Sequence, residues 1–161
     1  MRDLSFAFAD PSDIPQILVF IRELAEFEKR LHEVVATEEL LREHLFGARR
    51  AAEAVIVRLS GVPVGYALFF HTFSTFLGRP GLYVEDVYVT PDYRSMGIGR
   101  DIFLHLARVA KARDCGRMEW AVLGWNERAI QFYERLGAVP LKEWTHYRLT
   151  GQALDDLATE L

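Results

Sequence analysis

Two glycines, Gly97 and Gly99, sit inside Tyr93-Arg94-Ser95-Met96-Gly97-Ile98-Gly99-Arg100, directly after a strand-like apolar run and directly before a helical one. Glycine removes the Cβ that keeps other groups away from the backbone. Successive N–H groups then form a concave anion site, and a helix N-terminus adds about half a positive charge. The chemistry this suits is phosphate binding, with Arg94 and Arg100 supplying mobile charge at the rim. The same glycines also permit a tight strand-to-helix turn with no ligand, and the pair alone does not choose between the two. Two phosphate motifs are excluded: a Walker loop ends in Gly-Lys-Ser/Thr, and the dinucleotide fingerprint needs a third glycine in an opening βαβ unit.

Glu85 and Asp86 lie in the middle of Leu82-Tyr83-Val84-Glu85-Asp86-Val87-Tyr88-Val89. On a regular strand they point to opposite faces, so they are no simple dyad unless a bulge re-aims one. Each can also be read as a carboxylate satisfied by a neighbouring Arg or backbone N–H, a reading that suits Asp86 better than Glu85. Glu26, Glu28 and Glu33 form either an amine-attracting rim or a solvated helix end. Tyr133 keeps helical spacing with Ile130 and Leu136 and by pattern alone is a core aromatic, while Asn126 suits a helix N-cap. The five histidines, His32, His44, His71, His105 and His146, lack metal-ligand spacing. No Gly-x-Ser-x-Gly or Cys-His arrangement marks a covalent nucleophile, so no metal is expected.

These residues need elements to hold them. Asp10-Pro11 reads as N-cap and first position of a helix carrying Ile14, Ile17, Leu18, Ile21 and Leu24 inward and ending near Phe27. Thr37 caps a second helix with Leu40, Leu41 and Leu45 inward, stopped by Gly47. Residues 54–59 and 63–70 flank Ser60-Gly61 as an antiparallel hairpin, and residues 82–89 form a third strand closed by Thr90-Pro91-Asp92. A helix from Ile98 to about Arg113, a strand from Met118 to Leu123, a helix from about Glu127 to Leu136 ending at Gly137, and a final strand or hairpin over 139–149 complete the reading. Hairpins early and a strand-helix-strand-helix unit late predict a mixed sheet covered by helices.

At 161 residues the chain fits one domain, 1–161. A formal charge of −4 favours cationic partners over nucleic acid. No basic-then-apolar start and no run of roughly 20 apolar residues is present, so secretion and a membrane span are not expected. The single Cys115 fits a reducing compartment, with the cytoplasm as default.

Arg94-Ser95-Met96-Gly97-Ile98-Gly99 resembles the Arg/Gln-x-x-Gly-x-Gly/Ala acyl-CoA loop of the GCN5-related N-acetyltransferase (GNAT) superfamily. Leu24-Ala25-Glu26-Phe27-Glu28, Leu82-Tyr83-Val84-Glu85-Asp86, Asp92-Tyr93-Arg94, Trp125-Asn126-Glu127 and Phe132-Tyr133-Glu134-Arg135-Leu136-Gly137-Ala138 are similar to its diamine (spermidine/spermine) and thialysine acetyltransferase branch. The resemblance implies an α/β fold with a mostly antiparallel central sheet, flanked by helices and splayed at the acyl-CoA site. It implies acetyl transfer from acetyl-CoA to a small primary amine (a diamine, a polyamine or a lysine-like amino acid) by direct attack in a ternary complex, in a homodimer. A protein-amine acetyltransferase and a non-catalytic acyl-CoA sensor are the alternatives. By the same resemblance Glu85 is the base, acting through a water, and Tyr133 protonates the departing thiolate. Val87, Tyr88, Val89, Arg94, Ser95, Met96, Gly97, Ile98, Gly99, Arg100, Asn126 and Tyr133 hold the cofactor; Glu28, Glu85 and Asp86 hold the amine. An N–H near Val87 is the oxyanion donor. The polyamine enzymes carry Asp-Pro-Trp before this strand, where this chain has Ser74-Thr75-Phe76 and so lacks an acid.

Overall fold

The apolar run at residues 54–57 is buried on both faces, and covering it organises the first part of the chain. It lies in β2 of a five-stranded sheet ordered β1 (Leu4–Phe8), β2 (Glu53–Leu59), β3 (Val62–Ser74), β4 (Arg79–Val89) and β5 (Arg117–Trp120). Neighbouring strands are antiparallel except β4 and β5, which are parallel. This computed structural model describes residues 3–160. They form two compact units, one ending at Ala121 and one beginning at Val122.

In the first unit Val55 and Val57 pack with Leu82, Val84 and the stripe Ile98, Ile102, Leu106 and Ala110 of α3 (Ile98–Ala112). Ala54 and Ile56 point the other way, to Ile17 and Phe20 of α1 (Ile14–Phe27) and Leu45 of α2 (Glu38–Phe46). Each fully buried aliphatic side chain here contributes roughly 1.5–3 kcal/mol by leaving water. The mixed, mostly antiparallel sheet covered by helices on both faces is the architecture the sequence predicts.

Local chemistry sets the helix ends. Pro11 opens a 3-10 turn over Pro11–Asp13 rather than the α-helix itself. Asp10 accepts from the Ser12 N–H at 2.7 Å, while the Asp10 N–H donates to Asp13 at 3.1 Å. Asp13 also pairs with Arg58 of β2, and this reciprocal cap tightens the entry to α1 by one turn. Thr37 caps α2 as expected, its Oγ1 accepting from the Leu40 N–H at 3.2 Å.

β4 departs from regularity at one place that matters. Its register against β3 steps from Leu68 opposite Asp86 to Phe69 opposite Val84, so Glu85 is the extra residue of a β-bulge. Side-chain parity flips there. Before the bulge Leu82 and Val84 face α3, whereas after it Val87 and Val89 do, and Tyr88 turns to the α1 side. The parallel pairing with β5 also stops at Val84, opposite Trp120. No β5 residue pairs with Asp86–Val89. The strand expected to reach Leu123 therefore ends at Trp120.

In the second unit α4 (Glu127–Arg135) begins at Asn126, whose side chain accepts from the Ala129 N–H at 3.2 Å. It ends on Gly137, at φ +88°, with the Ala138 N–H bonding back to Tyr133 O at 3.1 Å. Residues 139–149 were expected to form a strand or hairpin and form none. Pro140 has no N–H to give a ladder, and its carbonyl is taken by the Lys142 N–H at 3.2 Å in a tight turn. A further helix, α5 (Gln152–Thr159), follows.

Candidate active site

The glycine loop has the backbone that anion binding needs. A 3-10 turn at Pro91–Tyr93 ends β4, Ser95 takes φ +66° and Gly97 φ +83°, and Gly97 is the N-cap of α3. The left-handed angle at Gly97 costs an L-residue roughly 1–2 kcal/mol, so glycine is the residue that fits. The first α3 bond joins the Asp101 N–H to Gly97 O at 3.1 Å, leaving the N–H groups of Ile98, Gly99 and Arg100 ahead of it at the positive end of the helix. A Cβ built on Gly99 would meet nothing within 4 Å, so open space lies in front of this turn. That space and those donors fit a diphosphate such as that of an acyl-CoA. Ile98 serves such a ligand only through its backbone, because its side chain is buried in the core.

Arg94 is not the mobile rim charge expected of it. Its Nε–H donates to Val89 O at 2.8 Å, and its guanidinium stands 5.0 Å from the Phe27 ring centre and 5.4 Å from that of Tyr88. The strand-end carbonyl and two aromatic faces together anchor it. Arg100 stays exposed. With Glu23, Glu26, Phe27, Tyr88 and Pro91, Arg94 lines a cavity of about 310 Å³. Tyr88 turns its hydroxyl to Glu23 on the α1 side.

The bulge brings together what sequence parity separates. Tyr83 and Glu85 alternate with core-facing Val84, and Asp86 takes the same face as Tyr88. Both carboxylates of Glu85-Asp86 therefore look toward α1. Glu28, the C-cap of that helix, meets Asp86 there: burial first and the Asp86 charge second push its carboxyl above the usual range. A carboxylate at a helix C-terminus also opposes the helix dipole. Burial raises the Asp86 carboxyl too, against a hydrogen bond from Tyr66 that lowers it. The Tyr66 hydroxyl donates to Asp86 Oδ2 at 2.5 Å and lies wholly inside the protein. Tyr66 is a site residue that sequence reading missed. Its only signal was a phenol in an apolar strand, which must find a polar partner.

The other acids of the expected rim separate. Glu33 accepts two bonds from Arg30, at 2.8 and 2.6 Å, and Glu26 belongs to the Arg94 cavity. Ser74 is buried and its Oγ accepts from the Leu77 N–H at 3.2 Å, while Phe76 is fully exposed at the β3–β4 turn. Asn126 and Tyr133 are placed by the second unit, one at the cap of α4 and the other within it, with the Phe132 ring centre 5.4 Å from that of Tyr133. Among the described residues no group of three or more His, Cys, Asp or Glu is gathered to hold a metal, and no helix is long and apolar enough to cross a membrane.

A sequence model of the acetyltransferase (GNAT) family matches residues 19–138. The chain is 40% identical to the thialysine N-epsilon-acetyltransferase of Mus musculus, over 93% of this chain and 94% of that one. It is 31% identical to the L-ornithine N5-acetyltransferase of Arabidopsis thaliana, over 91% and 84%. Among solved structures, an integron cassette protein from the mobile metagenome of V. cholerae superposes with a TM-score of 0.81 at 24% identity, covering 98% of each chain.

Proposed function

Because the chain belongs to the GNAT family of acetyltransferases, we propose that it moves an acetyl group from acetyl-CoA to a primary amine of a small dibasic molecule, a diamine or a lysine-like amino acid, by direct attack in a ternary complex. The observation that carries this reading is the bulge at Glu85, which turns two adjacent carboxylates toward Glu28 at the place where β4 parts from β5. Relatives named for thialysine and for ornithine, both dibasic amino acids, support the acceptor class. The family match crosses the boundary at Ala121, which supports reading both units as one acetyltransferase domain. The reading includes a cytoplasmic homodimer. A lone buried Cys115 supports the compartment, and the exposed Phe73 and Phe76 support a surface for a second copy.

Residues 95–100 hold the diphosphate through backbone N–H groups, and the open edge of Val87–Val89 holds the pantetheine amides as strand addition holds a peptide. Bound there, acetyl-CoA supplies the thioester carbonyl that the amine attacks. A primary amine with a pKa near 10.4 is about 99.9% protonated at pH 7, so a proton must leave before its lone pair can form the C–N bond. Glu85 takes that proton through a water. An N–H near Val87 faces the carbonyl oxygen, where negative charge develops. Tyr133 gives its phenolic proton to the thiolate as the C–S bond breaks, with Asn126 holding the start of its helix.

The test is acetyl-CoA-dependent thiol release over a panel of amines, beside calorimetric titration of acetyl-CoA. Release stimulated by dibasic amines is expected. Tight acetyl-CoA binding with no amine-stimulated release would instead mark a sensor.

A further inference from the structure

Glu28, Glu85 and Asp86 all act on one buried phenol. The Tyr66 hydroxyl donates to Asp86 at 2.5 Å, and the negative charges of Glu85 and Glu28 bear on the same group. Tyr66 comes from β3, opposite Tyr88 in the register and hence one diagonal step from Asp86. Its ring is stacked on Phe20 of α1, with centres 5.5 Å apart and planes at 15°, and no part of it reaches solvent. A side chain so enclosed does not touch an acceptor. It can only fix the residue that does. A carboxylate accepts at two oxygens, and a rigid donor on Oδ2 sets the direction in which Oδ1 is presented. Glu28 and Asp86 repel each other across this site, so a cation between them relieves both.

We propose that Tyr66 is a positioning residue for acceptor specificity: its hydrogen bond orients Asp86 so that Asp86 and Glu28 together receive the second ammonium of a dibasic acceptor, while the first ammonium goes to Glu85. This rests on the acetyltransferase reading above and adds to it a reason for preferring two positive charges over one. Tyr66→Phe removes one oxygen and keeps the ring on Phe20, so the change isolates the bond.

The experiment compares acceptors that differ by a single ammonium, 1,3-diaminopropane with propylamine and L-ornithine with 5-aminopentanoate, in wild type, Tyr66→Phe, Asp86→Asn and the double variant. Wild type is expected to prefer the dibasic member in kcat/KM. Tyr66→Phe is expected to raise KM for that member about tenfold with kcat within about twofold, and to leave the single-ammonium member within about twofold. Added to Asp86→Asn, the same substitution is expected to change nothing further, because the oriented charge is already gone. Equal losses on both members of a pair, or an undiminished effect in the Asp86→Asn background, overturn the proposal. So does a wild type that treats both members alike, and that result leaves the acetyltransferase reading standing. A wild type releasing thiol with none of the amines overturns both. If Tyr66→Phe does not fold, Asp86→Asn decides alone, and a retained dibasic preference sinks the proposal.

Discussion

Glu85 and Tyr133 are assigned opposite proton traffic, so their variants separate by pH. Glu85→Gln is expected to slow turnover by about 10²-fold at pH 7, the usual order for a general base. That deficit should shrink as pH approaches the amine's own pKa near 10.4, where the proton is already gone. A pH-rate profile of kcat/KM checks this, and an equal deficit at every pH would make Glu85 a substrate-positioning group. Tyr133→Phe is expected to lower kcat by a similar order while acetyl-CoA affinity stays within about twofold, because its proton matters only as the thiolate departs. Calorimetry beside steady-state rates checks it. Residue types marked these two positions in the sequence through family resemblance, but Tyr66 carried no such mark. Its role is written in a partner twenty positions away.

In the proposed cofactor site the β4–loop–α3 element supplies backbone donors, and its glycines separate stability from binding. Gly99 lies in the first turn of α3 with open space where a Cβ would stand. Gly99→Ala is therefore expected to keep or raise stability, by up to about 1 kcal/mol of helix propensity, with the melting temperature unchanged or higher. The same methyl enters the space assigned to the diphosphate, so acetyl-CoA affinity should fall at least tenfold. A loss of both stability and affinity would place protein rather than ligand in that space. Gly65 behaves differently: a Cβ there would stand 2.5 Å from Tyr88 O and 3.3 Å from Val89 Cα. Gly65→Ala is expected to destabilise by about 1–3 kcal/mol, read by urea denaturation, because β3 must approach β4 along the segment that holds the site. The loop and both flanking elements were legible from the glycine spacing and from the periodicity of Ile98, Ile102 and Leu106. The bulge was not. Leu82 to Val89 satisfies a regular strand equally well, and only the register against β3 shows the extra residue.

Across the first unit, charge makes opposite contributions in different places. Arg113, at the end of α3, pairs with Glu53 at the start of β2 and holds that carboxyl below its ordinary 4.5. The folded state keeps this group ionised where the unfolded chain takes up a proton. The stability it adds is thus present above pH 4.5 and is lost as pH falls through the lowered value. Glu53→Gln is expected to melt below wild type at pH 7 and to approach it as pH falls below 4.5 through the lowered value, as calorimetric scans over a falling pH series would show. Asp86 has the reverse sign. Its raised carboxyl means that ionisation opposes folding as pH rises from 3.8 through the folded value, so the acidic face carries a stability cost. The residues by themselves determined the elements up to Gly137, the glycine loop and the acidic strand, though not the strand read over 139–149 or α5, because propensity, periodicity and capping act over a few neighbouring positions. Only the tertiary structure decided that Glu85 and Asp86 share a face, that Arg94 is anchored and that Tyr66 stands behind Asp86. A bulge, a guanidinium on two rings and a cross-strand hydrogen bond each depend on which distant segments are brought into contact, and chain-local rules carry no information about that.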